Sequence, residues 1–428
     1  MEGTGLVLAG GGGKGIYQVG MIKSLAAAGL LDDVVAVSGT SIGGVNAVLF
    51  AEGLLEGKFE FDNSISDKNV INGETPQIDE KIRTAAGIQH AVQQMENVWN
   101  EIDFGVFFDF DADKLSAGDN HFSRKATEEL ISKYLDYSLF HSQTNKSEKL
   151  TADIITESNS ETTEELTFEL TENQISETTV DSAFEASSDQ NSENTSDISI
   201  SDKKIDKIIP TYVAAAACPP GVVTTDHITE EELRLLYSGS VDDTYRNYSV
   251  EYICLPEKEN DYIRNAILAT TALPVIYNPV RIGDKLYVDG GVKDNVPIKP
   301  LYDLGIRRFI VIELNTKSDI KNPEQFADAE IIDILPSHEL GRLVSGTMNF
   351  DWEDKETKKE IGVRDGKRYI KTLFEKDEAY MAVERELALR DYNDIIAQRD
   401  FKRHYNRLEE DISSRFDYIK NIEDKYKF

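Results

Sequence analysis

The sequence predicts an α/β protein built on a parallel sheet covered on both faces, with a charged helical extension at its C-terminal end. Three observations carry that expectation. The first sixty residues read strand, helix, strand, helix, an order that makes neighbouring strands parallel and lays helices on the sheet. Strand-like segments resume after residue 205 and include the apolar run FIVIEL at 309–314. Past about Asp377 the chain is charged, with Met381, Val383, Leu387, Leu389, Tyr392, Ile395 and Ile396 at helical spacing and neither Gly nor Pro to interrupt them.

Taken in order, Leu6 to Ala9 is a short buried strand that runs into GGGGKG at 10–15. From Gly15 to Leu30 the apolar residues Ile16, Val19, Ile22 and Leu25 fall at helical intervals, and Gly29 ends the helix. Val34 to Ser38 is a second apolar strand, followed by a helix from Ile42 to about Leu55. Between about 142 and 204 the composition turns to Ser, Thr, Glu, Asp and Asn with hardly a basic residue. Such a segment buries too little apolar surface to offset its ordering entropy, so an acidic, disordered insertion is expected there. Ile208 to Ala216, Tyr248 to Leu255 and Leu286 to Val288 then read as further strands. The domain expectation is a core over 1–376, interrupted by the insertion, and the helical extension over 377–428.

Bulk properties narrow the function. At 428 residues, 40% hydrophobic and 9% aromatic, the chain can bury a substantial core. A net charge of -32 leaves no basic face to replace the counterions around nucleic-acid phosphates, and it weakens docking on anionic membranes. The two cysteines, Cys218 and Cys254, are too few for a disulfide framework and sit in apolar settings that suit buried thiols, which points to a reducing, cytoplasmic compartment. The N-terminal stretch lacks a basic region, and nowhere do about 18 apolar residues follow one another, so neither a secretory signal nor a membrane span is expected.

The second strand leads into GTSIG at 39–43, which fits G-x-S-x-G between a strand and a helix. That is the context of a nucleophile elbow, in which a sharp turn projects the Ser41 hydroxyl while Gly39 and Gly43 let the backbones approach. A Ser/Thr helix cap would explain Ser38, Thr40 or Ser41 but not the glycines around them. A serine nucleophile needs a base. Of the six histidines, His90 and His404 lie in helix-like sequence, His141 borders the insertion, and His121, His227 and His338 sit in polar loops or caps, so all read as surface residues. Asp289 is the better candidate: it ends a strand in KLYVDGG, beside Gly290 and Gly291, where it can accept the serine proton directly. A plain turn aspartate is the alternative.

The glycine loop has two explanations. Gly11, Gly12 and Gly13 can offer unobstructed N–H groups to a developing oxyanion, with Lys14 adding positive charge nearby. It also fits the dinucleotide fingerprint, but that reading needs an acidic residue at the end of the second strand, and Asp32 and Asp33 precede it.

Together, GGGGKG, GTSIG and DGG in this order resemble the patatin-like phospholipase family. The run ILATTALPVIYNPVRIGDKLYVDGGVKDNVPI strengthens the resemblance, as do GIYQVGMIKSL and SHELGRLVSGTMNF; it covers about 1–140 and 205–375. The resemblance implies a three-layer α/β/α sandwich with a mainly parallel sheet. It also implies lipid acyl hydrolysis by a Ser-Asp dyad, with Ser41 as nucleophile, Asp289 as base and an oxyanion hole of Gly11, Gly12, Gly13 and Lys14. The family more often has arginine at the last of these positions. No cofactor or metal is called for, the implied partner is a phospholipid or other acyl ester, and peripheral membrane contact enters only through that substrate. Two rivals remain at this stage: a nucleotide-binding enzyme, and an inactive module of the same fold that binds partners through the insertion and tail.

Overall fold

The computed structural model describes residues 2–69, 79–107, 123–140, 208–220, 245–274 and 276–374, with four further positions at 393, 397, 401 and 404. The insertion expected over 142–204 lies outside the described residues, and so does most of the extension from 377. Asn393, Ala397, Phe401 and His404, the positions described there, are helical.

Eight strands form one sheet: β1 (Thr4–Leu8), β2 (Val34–Thr40), β3 (Thr211–Ala217), β4 (Ser249–Cys254), β5 (Val280–Ile282), β6 (Lys285–Asp289), β7 (Arg308–Ile312) and β8 (Glu330–Ile334). The helices are α1 (Ile16–Ala27), α2 (Ile42–Asn69), α3 (Glu80–Glu101), α4 (Phe104–Phe107), α5 (Lys125–Tyr134), α6 (Asn260–Thr270), α7 (Lys299–Asp303) and α8 (Trp352–Phe374). The strand order is β5-β6-β3-β2-β1-β7-β8, with β4 also paired to β3. From β8 to β3 the pairings are parallel, whereas β4 and β6 run antiparallel to β3, and β5 antiparallel to β6. The sheet is therefore mixed, with its parallel half built from the strands the sequence marks most clearly.

Those strands are legible because both faces are covered. Leu6 and Leu8 point into a large core shared with α1, α2 and α3, while Val7 and Ala9 point into a second core with Val296, Leu301 and Phe309. Burial on both faces turns an alternating pattern into a continuous apolar run.

One junction in this sheet matters for function. Strand β4 lines one edge of β3 over Tyr212–Ala217. The other edge is shared end to end, by β2 opposite Thr211, Tyr212, Val213 and Ala214 and by β6 opposite Ala215, Ala216 and Ala217. Thr40 faces Ala214 and Asp289 faces Ala215. The C-terminal ends of β2 and β6 thus meet over adjacent residues of a third strand.

The helices approach through glycines. A Cβ on Gly20 would lie 2.1 Å from the Lys359 carbonyl oxygen and one on Gly362 would lie 2.2 Å from that of Tyr17, so α1 and α8 touch backbone to backbone. Tyr17 Oη donates to Asp365 at 3.1 Å and Ser24 Oγ to the Val363 carbonyl at 2.8 Å across the same contact. Likewise, a Cβ on Gly53 would meet Ala91 Cα at 2.6 Å and one on Gly57 would meet Gly87 Cα at 2.9 Å. This close packing on α3 carries α2 on to Asn69, fourteen residues beyond the Leu55 end that its apolar spacing indicates. Cys218 and Cys254 are free and half-buried rather than buried, since one follows the end of β3 and the other closes β4. Among the described residues, no helix is long and apolar enough to cross a membrane.

Candidate active site

Ser41 occupies the turn between β2 and α2 with φ 55, the left-handed region that an L-residue enters at a cost of about 1–3 kcal/mol. The surrounding glycines make the turn possible. A Cβ on Gly39 would lie 2.1 Å from the Gly43 carbonyl oxygen, and one on Gly43 would lie 2.2 Å from that of Leu8. The elbow is pinned from below by Thr270: its Oγ1 accepts the Ser41 N–H at 2.9 Å and donates to the Ala214 carbonyl at 2.6 Å. Ser38 and Thr40 lie within β2 rather than capping α2. Their hydroxyls donate to the Pro297 and Asp294 carbonyls at 2.7 and 2.9 Å, strapping the segment after β6 against the elbow.

Asp289 ends β6 and is 3% exposed. Its N–H donates to the Ala272 carbonyl at 2.8 Å, and its Oδ1 accepts the Gly291 N–H at 2.8 Å. The Ser41 side chain faces the same carboxylate closely enough to lower its pKa. Gly290 lies so close to β3 that a Cβ would come within 2.3 Å of the Ala214 carbonyl oxygen. Burial raises the Asp289 pKa to about 6, against the lowering effect of Ser41, the Gly291 N–H and the Arg124 cation. Arg124 lies 4.4 Å over the Tyr277 ring and donates to the Leu268 and Asn278 carbonyls at 2.7 and 3.2 Å.

The glycine stretch leaves β1 and enters a 3-10 turn at Gly12–Gly15. Gly12 has φ 55, and a Cβ there would lie 2.2 Å from the Thr347 carbonyl oxygen. The first N–H groups of such a turn, among them those of Gly11 and Gly12, have no partner inside it. Behind the loop runs a buried polar chain. Gln18 Nε2 donates to the Ala9 and Ile312 carbonyls at 2.8 and 3.1 Å, Asn46 Nδ2 to Gln18 Oε1 at 2.9 Å, and Trp99 Nε1 to Asn46 Oδ1 at 2.9 Å. This chain joins the ends of β1 and β7 to three helices.

These parts surround one apolar cavity of about 260 Å³. Gly10, Gly11, Gly12, Ser41 and Asp289 line it on the polar side, and Ile42, Leu273, Tyr277, Val292, Met348 and Phe350 form its walls. Gly13 and Lys14 are not part of the lining. Lys14 turns away, donating to Asn315 Oδ1 at 3.1 Å, and burial lowers its pKa.

Among the described residues no histidine lines the cavity. His90 in α3 sits between two carboxylates, Nε2 at 3.3 Å from Glu56 and Nδ1 at 3.2 Å from Glu60. These three have their ligand atoms within 4.8 Å of one another, but the two carboxylates face opposite nitrogens of the ring. His338 lies in a loop beside Ser337, and His404 is exposed. His121, His141 and His227 lie outside the described residues. Asp33 stands at the start of β2, where it accepts from Thr4 Oγ1 at 2.8 Å, so no acidic group ends that strand to hold a ribose.

The site also contains residues that the sequence alone does not single out. Thr270 belongs to the small-residue run ILATTALP, and Asn295 closes DGGVKDN, so both lay inside stretches already quoted for the resemblance. Arg124 carries no local signal, because its contacts are with residues about 150 positions away.

A 48-residue stretch is 55% identical to part of Lysophospholipase nte1 from Aspergillus terreus, covering 11% of this chain and 3% of that protein. The crystal structure of VipD from Legionella pneumophila is similar over 87% of this chain and 67% of that one, at 15% identity and a TM-score of 0.36. The profile of the patatin-like phospholipase family matches residues 6–302, which takes in the glycine loop, the serine elbow and the Asp289 strand. Since that match spans more than half of the sequence, the chain belongs to the patatin-like phospholipase family.

Proposed function

We propose that the protein is a lipid acyl hydrolase that releases fatty acids from phospholipids or related acyl esters, through an acyl-enzyme on Ser41 with Asp289 as its base. Membership of a phospholipase family supports the general class. The observation that carries the finer reading is the strained Ser41, which shares the polar side of one apolar cavity with the buried Asp289 carboxylate.

In this mechanism Ser41 Oγ attacks the ester carbonyl carbon as its proton passes to Asp289. Negative charge develops on the carbonyl oxygen, which the N–H groups of Gly11 and Gly12, both lining the cavity, are suited to receive, while Gly13 lies behind them. Lys14, directed at Asn315, acts by holding the loop and through its charge at a distance. Collapse of the tetrahedral species breaks the bond to the leaving oxygen, which takes the proton from Asp289. Water then attacks the acyl-serine while Asp289 accepts its proton, and a second collapse frees the fatty acid and returns the proton to Ser41. An aspartate at about 6 is a stronger base than one at its ordinary value, and it stays ionised at neutral pH.

A fluorophosphonate probe tests the assignment. One phosphonyl group per chain, located on Ser41 by peptide mass spectrometry and lost in Ser41→Ala, is the expected result. Labelling elsewhere, or equal labelling of Ser41→Ala, would refute it.

A further inference from the structure

One carboxylate oxygen outside the cavity ties together both ends of the glycine loop. At the Gly10 end, Asn295 makes two bonds: its carbonyl accepts the Gly10 N–H at 3.3 Å and its Nδ2 donates to the Gly10 carbonyl at 3.3 Å. The same Nδ2 donates to Asp319 Oδ2 at 3.2 Å. At the Lys14 end, Nζ donates to Asn315 Oδ1 at 3.1 Å, and Asn315 Nδ2 donates to Asp319 Oδ2 at 2.7 Å. Asp319 is itself fixed. The fully buried Glu313, which follows β7, accepts the Asp319 N–H on both oxygens at 3.0 and 2.9 Å and the Ser318 hydroxyl at 2.8 Å.

Between the two tethered ends lie Gly11, Gly12 and Gly13, with no side chain to hold them in place. An oxyanion site works only if its donors are in position before charge develops, and misplacement by about 1 Å costs on the order of 100-fold in rate. Resting on the reading of Ser41 and the glycine loop given above, we infer that Asp319 is a positioning residue for acyl transfer: through Asn295 and Asn315 its carboxylate clamps Gly10 and Lys14 and so sets the height of the loop over Ser41. It does not line the cavity and touches no substrate. Its contribution belongs to the transition state, not to substrate binding.

The test compares Asp319→Ala, Asp319→Asn and Asn315→Ala with the native chain and with Ser41→Ala, using a soluble short-chain fatty-acyl ester below the unfolding transition of every variant. Asp319→Ala is expected to lower kcat about 10- to 100-fold with KM within about twofold, since an interaction made only in the transition state leaves ground-state binding alone. Asp319→Asn keeps an acceptor oxygen at the same place and is expected to recover most of the loss, to within about threefold of native. Asn315→Ala, which breaks only the Lys14 arm, is expected to fall between them. An unchanged kcat in Asp319→Ala would overturn the inference, as would a loss carried by KM or one that Asp319→Asn does not restore. Turnover surviving in Ser41→Ala would instead refute the acyl-serine reading, whatever the Asp319 variants do.

Discussion

The Thr270 hydroxyl bridges Ser41 and β3, accepting the Ser41 N–H and donating to the Ala214 carbonyl. The Ser41 N–H is therefore engaged beneath the turn, and in the proposed mechanism charge stabilisation falls to the glycine loop across the cavity. One side chain thus fixes the strained elbow to the strand over which β2 and β6 meet.

Thr270→Val removes both bonds while keeping the shape. The buried Ala214 carbonyl then loses this donor and the Ser41 turn its tether, at a cost of about 1–3 kcal/mol. Urea unfolding should show that loss and turnover should drop with it, while Thr270→Ser restores both.

Asp289 supplies a pH signature. As the base of the proposed mechanism it must be ionised, so kcat/KM should fall as pH drops below about 6 and level off above it. Arg124 lowers the Asp289 pKa, so Arg124→Gln should move that acidic limb to higher pH. Rates measured from pH 4.5 to 8.5 on one ester settle both; a limb that stays put in Arg124→Gln would remove the cation from the account.

Gly12 combines a left-handed backbone with close packing. Gly12→Ala places a methyl about 2.2 Å from the Thr347 carbonyl oxygen and demands a left-handed φ of an L-residue. The expected result is a loss of about 1–3 kcal/mol in stability together with at least a tenfold loss of kcat.

Away from the site, Glu52 gives a test by stability alone. It is fully buried in α2, and neither of its oxygens has a hydrogen bond of ordinary geometry. Burial first, then the acidic neighbours Asp136 and Glu56, push its pKa from 4.5 to about 9, with the facing Asp136 N–H offsetting part of the rise. Between those values the folded chain holds a proton that the unfolded chain has released, so the wild-type protein loses stability as pH rises from about 4.5 to 9. Glu52→Gln removes that dependence. Relative to the parent it should gain about 4 kcal/mol of stability between pH 5 and pH 8, by denaturant unfolding.

The parallel strands and the elbow were legible because their signals are local. Buried strands read as apolar runs, and the turns after them need glycine at fixed offsets, as Gly39 and Gly43 show by their contacts with Gly43 and Leu8. Helix α8 was not legible, since it meets α1 through Gly362 and Gly366, and close packing through glycine leaves little apolar stripe to read. The long course of α2 was hidden for the same reason at Gly53 and Gly57. The antiparallel part of the sheet depends on β6 turning back against β3, a long-range pairing that local periodicity does not encode. Arg124 was invisible because its partners lie about 150 positions away, and Asp319 because its link to Gly10 runs through Asn295, which only the folded chain brings beside the loop.

Release of fatty acid from mixed phospholipid micelles, by the native chain and by Ser41→Ala at equal folded concentration, tests the central claim most directly. The account predicts release by the native chain and a fall of about 1,000-fold or more in the variant. Equal release by both would contradict it.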